Sequence, residues 1–235
     1  MSRTGPRSLV VRVLSEGPGA GRLVSVVDWT TIAALATAGG TLVLALATFA
    51  AVRSANRSAR LTEYSMKIGI RPLLMPSRLE DVSQKIMWGD EHWALLKGSE
   101  AHVEIADDNV YLAMSIRNAG SGIGVIQGWH LGLHELLAEH PHAEPDEFRL
   151  QTRDLYIPGG DVGFWQAAIR DPDDPEYAAL VEAVKAPRVF GVELLYTDHE
   201  GSQRTITFFI LAPRGDDKWL CSEARHWNLD RPDPR

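Results

Sequence analysis

A single cysteine, Cys221, stands in 235 residues, so neither an intrachain disulfide framework nor a four-cysteine metal site is available. Between Thr30 and Val52 there is no charged residue at all. Basic residues are scarce beyond position 75. Residues 76–235 hold 15 Lys/Arg against 28 Asp/Glu, a net of −13, whereas residues 1–75 hold nine against three, a net of +6. A domain that acidic is repelled by phosphate backbones, which argues against nucleic acid as its partner. No Gly-x-Ser-x-Gly elbow occurs. Gly120, Gly122 and Gly124 are followed by a strand pattern where a nucleotide loop needs a helix. With 45% hydrophobic and 23% charged residues, the chain is neither disordered throughout nor a polytopic transporter.

What the chain does have is the uncharged stretch. As a helix, the 22 residues from Thr31 to Val52 reach about 33 Å, enough to cross a hydrocarbon core of roughly 30 Å. Eight of them are Leu, Ile, Val or Phe, diluted by eight Ala, four Thr and two Gly, so insertion is favourable without being strong. Trp29 marks one interface, and Arg53, Arg57 and Arg60 mark the other, with Lys67 and Arg71 beyond. A buried core helix seldom runs this long without a charge. A cleaved signal peptide ending at Ala50-Ala51 has a shorter apolar run and no arginines straight after it. The reading that survives is a transmembrane helix over 29–52, single-pass, in the cell membrane. Five Lys/Arg on its C-terminal side against Arg12 and Arg22 on the other place the C-terminal domain in the cytoplasm. Residues 1–28 read as a disordered tail, with Val26 or Val27 as an alternative start. Ala33, Thr37, Thr41 and Ala45 recur every four residues, a small-residue stripe that would support a weak homodimer through the membrane helix. With fourteen Ala, Gly or Thr among 22 positions, composition alone also produces such a stripe.

Residues 53–70 continue as a polar helical stalk, which should end near Ile70 because Pro72 disfavours helix just before it. Residues 71–227 then read as strands, with 228–235 as a second tail. Strand patterns cover 102–105, 110–118, 122–134, 155–157, 162–169, 189–196, 205–211 and 218–225, separated by Gly, Pro, Asn and Asp clusters. In the third, Ile123, Val125, Gln127, Trp129, Leu131 and Leu133 should share one face. A helix over 175–185 has Asp174 as cap, Pro175 in its first turn, and a stripe of Tyr177, Leu180, Val181 and Val184. The expected fold is mainly β: an antiparallel immunoglobulin-like β-sandwich with one inserted helix.

Three motifs stand out: Arg71-Pro72, Arg117-Asn118-Ala119-Gly120-Ser121-Gly122 and Tyr196-Thr197-Asp198-His199-Glu200-Gly201. With the span and the Arg-rich stalk, they resemble a group of uncharacterised actinobacterial single-pass membrane proteins with a cytoplasmic β-sandwich domain. The resemblance covers roughly residues 29–225. It implies a topology and no activity, because the motifs are turn geometry. The helix at 175–185 and a long loop at 76–101 depart from the family pattern, and are where a specific ligand would be sought.

Four histidines, His130, His134, His140 and His142, lie close in sequence, but without a spacing typical of metal ligands, and a solvated loop is the simpler account. Cys221 reads as a small packing residue. Trp129, Trp165, Trp219 and Trp227 read as core. Trp88 and Trp93, in the long loop, either cap one end of the sandwich or form an exposed interaction patch. Asp107, Asp108, Asp171, Asp173 and Asp174 are the acids available to a metal-dependent enzyme, yet all stand in turns, where Asp bonds to the local backbone. No catalytic residue, cofactor or metal is expected. The leading reading is a non-enzymatic module that meets the lipid bilayer and an unidentified protein partner. A small-ligand sensor and a metal-dependent enzyme compete with it, and a deep pocket with converging polar groups would favour either.

Overall fold

A computed structural model describes residues 28–133, 142–215 and 218–230, and the chain divides into two units, 1–58 and 59–235. Helix α1 (Trp29–Gly69) starts in the first and ends in the second. Asp28 caps it: its backbone oxygen accepts from Thr31 N at 3.0 Å, and its carboxylate accepts from Thr30 N at 3.3 Å. No residue of α1 is buried, and Leu35, Val43, Leu44, Leu46 and Phe49 are each more than three-fifths exposed. A core helix would hide those side chains. The helix is long and apolar enough to cross a membrane. In the small-residue stripe, Thr37 and Thr41 donate their hydroxyls to the carbonyls of Ala33 and Thr37, both at 2.9 Å. Those protons are therefore used within the helix and not offered to a second one.

The second unit is built from β1 (Leu74–Pro76), β2 (Gln84–Met87), β3 (Trp93–Leu96), β4 (Glu100–Ala106), β5 (Asn109–Asn118), β6 (Gly124–Gly132), β7 (Arg149–Ile157) and β8 (Val162–Ile169). Helix α2 (Tyr177–Lys185) comes next, then β9 (Phe190–Asp198), β10 (Thr205–Pro213) and β11 (Trp219–Asn228). The expectation of a mainly antiparallel β fold holds. Nine strands form one sheet: eight follow the hydrogen-bonded path β1-β5-β4-β11-β10-β9-β6-β7, and β8 pairs with the other edge of β5. Ten-residue β5 is long enough to fork. Its residues 109–114 pair with β4, 116–118 pair with β1, and 110–117 pair with β8 along the opposite edge. The sheet curls until its far strands approach, where Gln151 of β7 donates to Gln166 O of β8 at 3.0 Å.

Curling encloses one core. Leu112, Met114 and Ile116 of β5 meet Trp165 of β8 and Phe190, Val192, Leu194 and Tyr196 of β9. Cys221 is buried there, its sulfur 3.6 Å from that of Met114, and burial pushes the thiol well above its ordinary range. It packs, as expected.

Three expectations need correction. The segment 76–101 is not a long loop: it contains the β2–β3 hairpin, which covers the outer face of β5 with Ile86, Trp88, Ala94 and Leu96 against Tyr111 and Ala113. Strand β6 does not keep one face from 123 to 133. Its ladders skip Gln127, a bulge that flips the alternation, so Ile126 points inward before it and Trp129 and Leu131 after it. Helix α2 begins at Tyr177, two residues late, and its cap position is Glu176. Asp174 instead closes the preceding turn, its carboxylate accepting from Glu176 N at 2.9 Å.

Candidate functional site

The three turn motifs converge on one place: the entry of the chain into the β domain. The Asn118 side chain is fully buried there and uses its full bonding capacity. Its carbonyl oxygen accepts from Leu73 N at 3.0 Å and Gly120 N at 2.9 Å, and its amide donates to Gly122 O at 2.6 Å and Ile157 O at 3.0 Å. Gly120 and Gly122 are needed for close approach. A Cβ on Gly122 would lie 1.6 Å from Ile70 O, and one on Gly120 would lie 2.1 Å from Arg71 O. The Tyr196 hydroxyl accepts from Leu74 N at 3.2 Å and pairs with Thr207 Oγ1 at 3.1 Å. Arg71 donates to Thr205 Oγ1 at 3.2 Å. Asp198 orders the loop beyond β9 by accepting from Ser202 N and Ser202 Oγ, and Gln203 in that loop donates to Lys67 O at 2.6 Å. Hydrogen bonds from Ser202 and Gln203 hold the Asp198 carboxyl below its ordinary pKa although burial opposes them. The sequence marked these residues as turns. It did not reveal that they form one clamp on residues 67–74.

The hairpin carries the other feature of note. Trp88 is buried and donates its indole N–H to Ala167 O at 2.9 Å, so it belongs to no exposed patch. That corrects half of the expected pair. Trp93 is about half exposed, lies beneath the Lys85 ammonium at 4.1 Å, and shares the outer face with Met87 and Leu95. At the hairpin turn, His92 stacks on Tyr111 with ring centroids 4.0 Å apart. Its Nε2 lies 3.1 Å from Glu104 Oε2, and His102 Nε2 approaches the same oxygen at 3.0 Å. Among the described residues these three form a group whose ligand atoms all lie within 4.8 Å of one another. Burial lowers the pKa of His102, favouring its neutral form. The Tyr111 hydroxyl donates to Asp90 at 2.7 Å, and that bond, with Arg170 at 3.0 Å, brings Asp90 to a pKa of about 2.

The histidines at 130–142 form no metal group among the described residues. His130 lies 3.6 Å from Glu193 and beside Phe148, His142 packs edge-on against Trp227, and His134 and His140 fall outside the described residues. The acids considered for metal chemistry form no metal group among the described residues, and Asp174 is bound by Arg149. Asp107 and Asp108 take positive φ in the tight β4–β5 turn, and Asp171 accepts from Asp173 N at 3.0 Å. At the seam of the curled sheet a cleft of about 650 Å³ runs between Trp88, Asp90, Trp129, Arg149 and Arg170. Its charges already pair. Arg149 binds Asp174 at 2.5 Å and also Glu176, while Arg170 binds Asp90. Trp29, Arg53, Arg57 and Arg60, the expected anchor residues, are all exposed on α1. No protein-family model matches the chain, and no curated protein matches it in sequence.

Proposed function

We propose that the chain is a single-pass membrane protein of the cell membrane whose acidic, cytoplasmic β domain is a non-enzymatic module for a partner protein. The observation that carries the anchor is α1, whose Leu, Val and Phe side chains between Ile32 and Val52 are exposed. Hydrocarbon is the solvent such a surface requires. Arg53, Arg57, Arg60, Lys67 and Arg71 support a cytoplasmic β domain, since Lys and Arg concentrate on the inner side of a span. The contact face proposed for the partner is the outer side of the hairpin, where Met87, Trp93 and Leu95 are 42, 49 and 63% exposed. The common core of β5 and β9 supports reading the curled sheet as an immunoglobulin-like sandwich with α2 as an insertion. A weak homodimer through α1 is the lesser part of the proposal, because the stripe's threonine hydroxyls are engaged within their own helix.

The test uses the full chain in cells. It should resist carbonate extraction from membranes, and a reporter that works only in the cytoplasm should be active when fused after Arg235. A photo-crosslinker at Trp93 or Leu95 should trap a discrete adduct, and one at Leu150, 81% exposed on β7, should not. Release by carbonate would remove the anchor. Activity of an export-only reporter would reverse the orientation, and equal or absent adducts at all three positions would remove the contact face.

A further inference from the structure

We propose that His92, His102 and Glu104 form a zinc site that fastens the β2–β3 hairpin to β4. The inference is independent of the partner-binding reading above. Two imidazole nitrogens and a carboxylate oxygen are a ligand set that zinc favours. Donors about 2.0–2.1 Å from a tetrahedral zinc are roughly 3.3 Å apart. Here His92 Nε2 and His102 Nε2 stand 3.1 and 3.0 Å from Glu104 Oε2. These two separations match within a few tenths of an ångström, and the two ring nitrogens lie within 4.8 Å of each other.

A second observation points to a missing partner. His102 Nε2 is buried and has no well-aligned hydrogen bond, although the Glu104 carboxylate oxygen stands 3.0 Å away. A buried ring nitrogen next to an acceptor with which it is not aligned suits a lone pair directed at a cation, which bridges the three groups without needing a proton between them.

The ligands are also held in place before any ion arrives. His102 and Glu104 are two apart on β4, so their side chains share a face. His92 reaches them from the hairpin turn, closed by Trp88 N donating to His92 O at 3.0 Å and by Glu91 in a left-handed conformation at φ 64°. Its ring is stacked on Tyr111, whose hydroxyl is tied to Asp90. The stack fixes the plane of the His92 ring. The three side chains are 22, 24 and 43% exposed, which leaves room for a water as fourth ligand.

The experiment uses the full chain in detergent, stripped with EDTA and titrated with Zn²⁺ by calorimetry and with Co²⁺ by visible absorption. One Zn²⁺ per chain should bind at this site, and Co²⁺ should give the intense bands of four-coordinate geometry. Glu104→Gln and His102→Gln should each weaken binding by more than the 10–100-fold typical of losing a supporting residue. His130→Gln should leave it unchanged. The metal-free melting temperature and circular dichroism of Glu104→Gln establish that it folds. The Co²⁺ spectrum of the unaltered chain is the measurement that needs no variant. Six-coordinate Co²⁺ bands, no stoichiometric binding, or binding that survives Glu104→Gln and His102→Gln together would overturn the proposal.

Discussion

Replacing Asn118 with alanine should unfasten the start of the β domain. Four backbone partners lose their bond at once: Gly122 O and Ile157 O, which are buried, and Leu73 N and Gly120 N, which are partly so. Each bond contributes about 1 kcal/mol net, and a buried group left unpaired costs about 1–3 kcal/mol. The four share one side chain, so their losses do not simply add, and water can enter part of the space. The expected loss is about 3–4 kcal/mol, a large part of the roughly 5–15 kcal/mol that holds a domain folded. Urea unfolding of the full chain in detergent, followed by tryptophan fluorescence, reads it directly. Asn118→Asp is the sharper probe. It keeps the shape and the two acceptor contacts but sets a carboxylate against two carbonyls in a buried site, which raises its pKa. A folded-state pKa above the unfolded value of about 3.9 means the stability is present below that value and is lost as pH rises through the folded pKa. The variant should therefore approach the parent near pH 4 and fall furthest below it at pH 7. If Asn118→Ala costs less than about 1 kcal/mol, or Asn118→Asp shows no such pH dependence, the four-bond account is wrong.

Gly122→Ala should be at least as damaging as Asn118→Ala, because its methyl would meet backbone at Ile70 O and no side chain can yield; limited proteolysis at residues 67–74 should be accelerated. Burial raises the pKa of Glu193 above its ordinary 4.5, although Ala143 N, His130 and His142 favour its charged form. Its contribution is thus present below pH 4.5 and lost as pH rises through the folded value, and Glu193→Gln, which keeps an acceptor for Ala143 N, should flatten the melting temperature from pH 5 to 7. Arg149 lowers the pKa of Asp174, so that bond stabilises above pH 3.8 and fades as pH falls through the folded value. Asp174→Asn should cost about 1–2 kcal/mol at neutral pH and little in acid, as measured by paired urea titrations.

Where strands are buried on both faces, the sequence announces them. All nine residues of β9 are buried, as are eight of the ten in β5, and both are mostly apolar, with Val110-Tyr111-Leu112-Ala113-Met114 in β5 and Leu194-Leu195-Tyr196 in β9. Strand β7 is only half visible in the sequence because Leu150 and Tyr156 are exposed and its alternation is weak. The hairpin reads as a loop because both its faces are apolar, Ile86 and Leu96 inward, Met87, Trp93 and Leu95 outward, which erases the period of two. Bulges have no composition of their own, so Gln127 carries no warning of the flip in β6. The histidine group at 130–142 draws attention by proximity in sequence, whereas His92 and His102 are ten residues apart and meet through a hairpin. The signal available is His102-x-Glu104, two ligand types on one strand face.

The clamp on residues 67–74 also bears on why the three motifs are spread over more than 120 positions of sequence. Strand β1 has three residues, and its ladder to β5 is too short to outweigh the entropy of ordering the segment before it. The missing stabilisation comes from side chains elsewhere: Asn118 at the end of β5 binds Leu73, Tyr196 on β9 binds Leu74, Arg71 reaches Thr205 on β10, and Gln203 binds Lys67. Each uses a different part of the sheet, so the entry segment is fixed only once β5, β9 and β10 are in place. Folding of the domain and fastening of the last turn of α1 are then one event. A glycine- or serine-rich linker would separate the two, and Ile70-Arg71-Pro72-Leu73-Leu74 contains neither residue. The chain therefore enters its β domain through a built joint, and the motifs that look like mere turns are its parts.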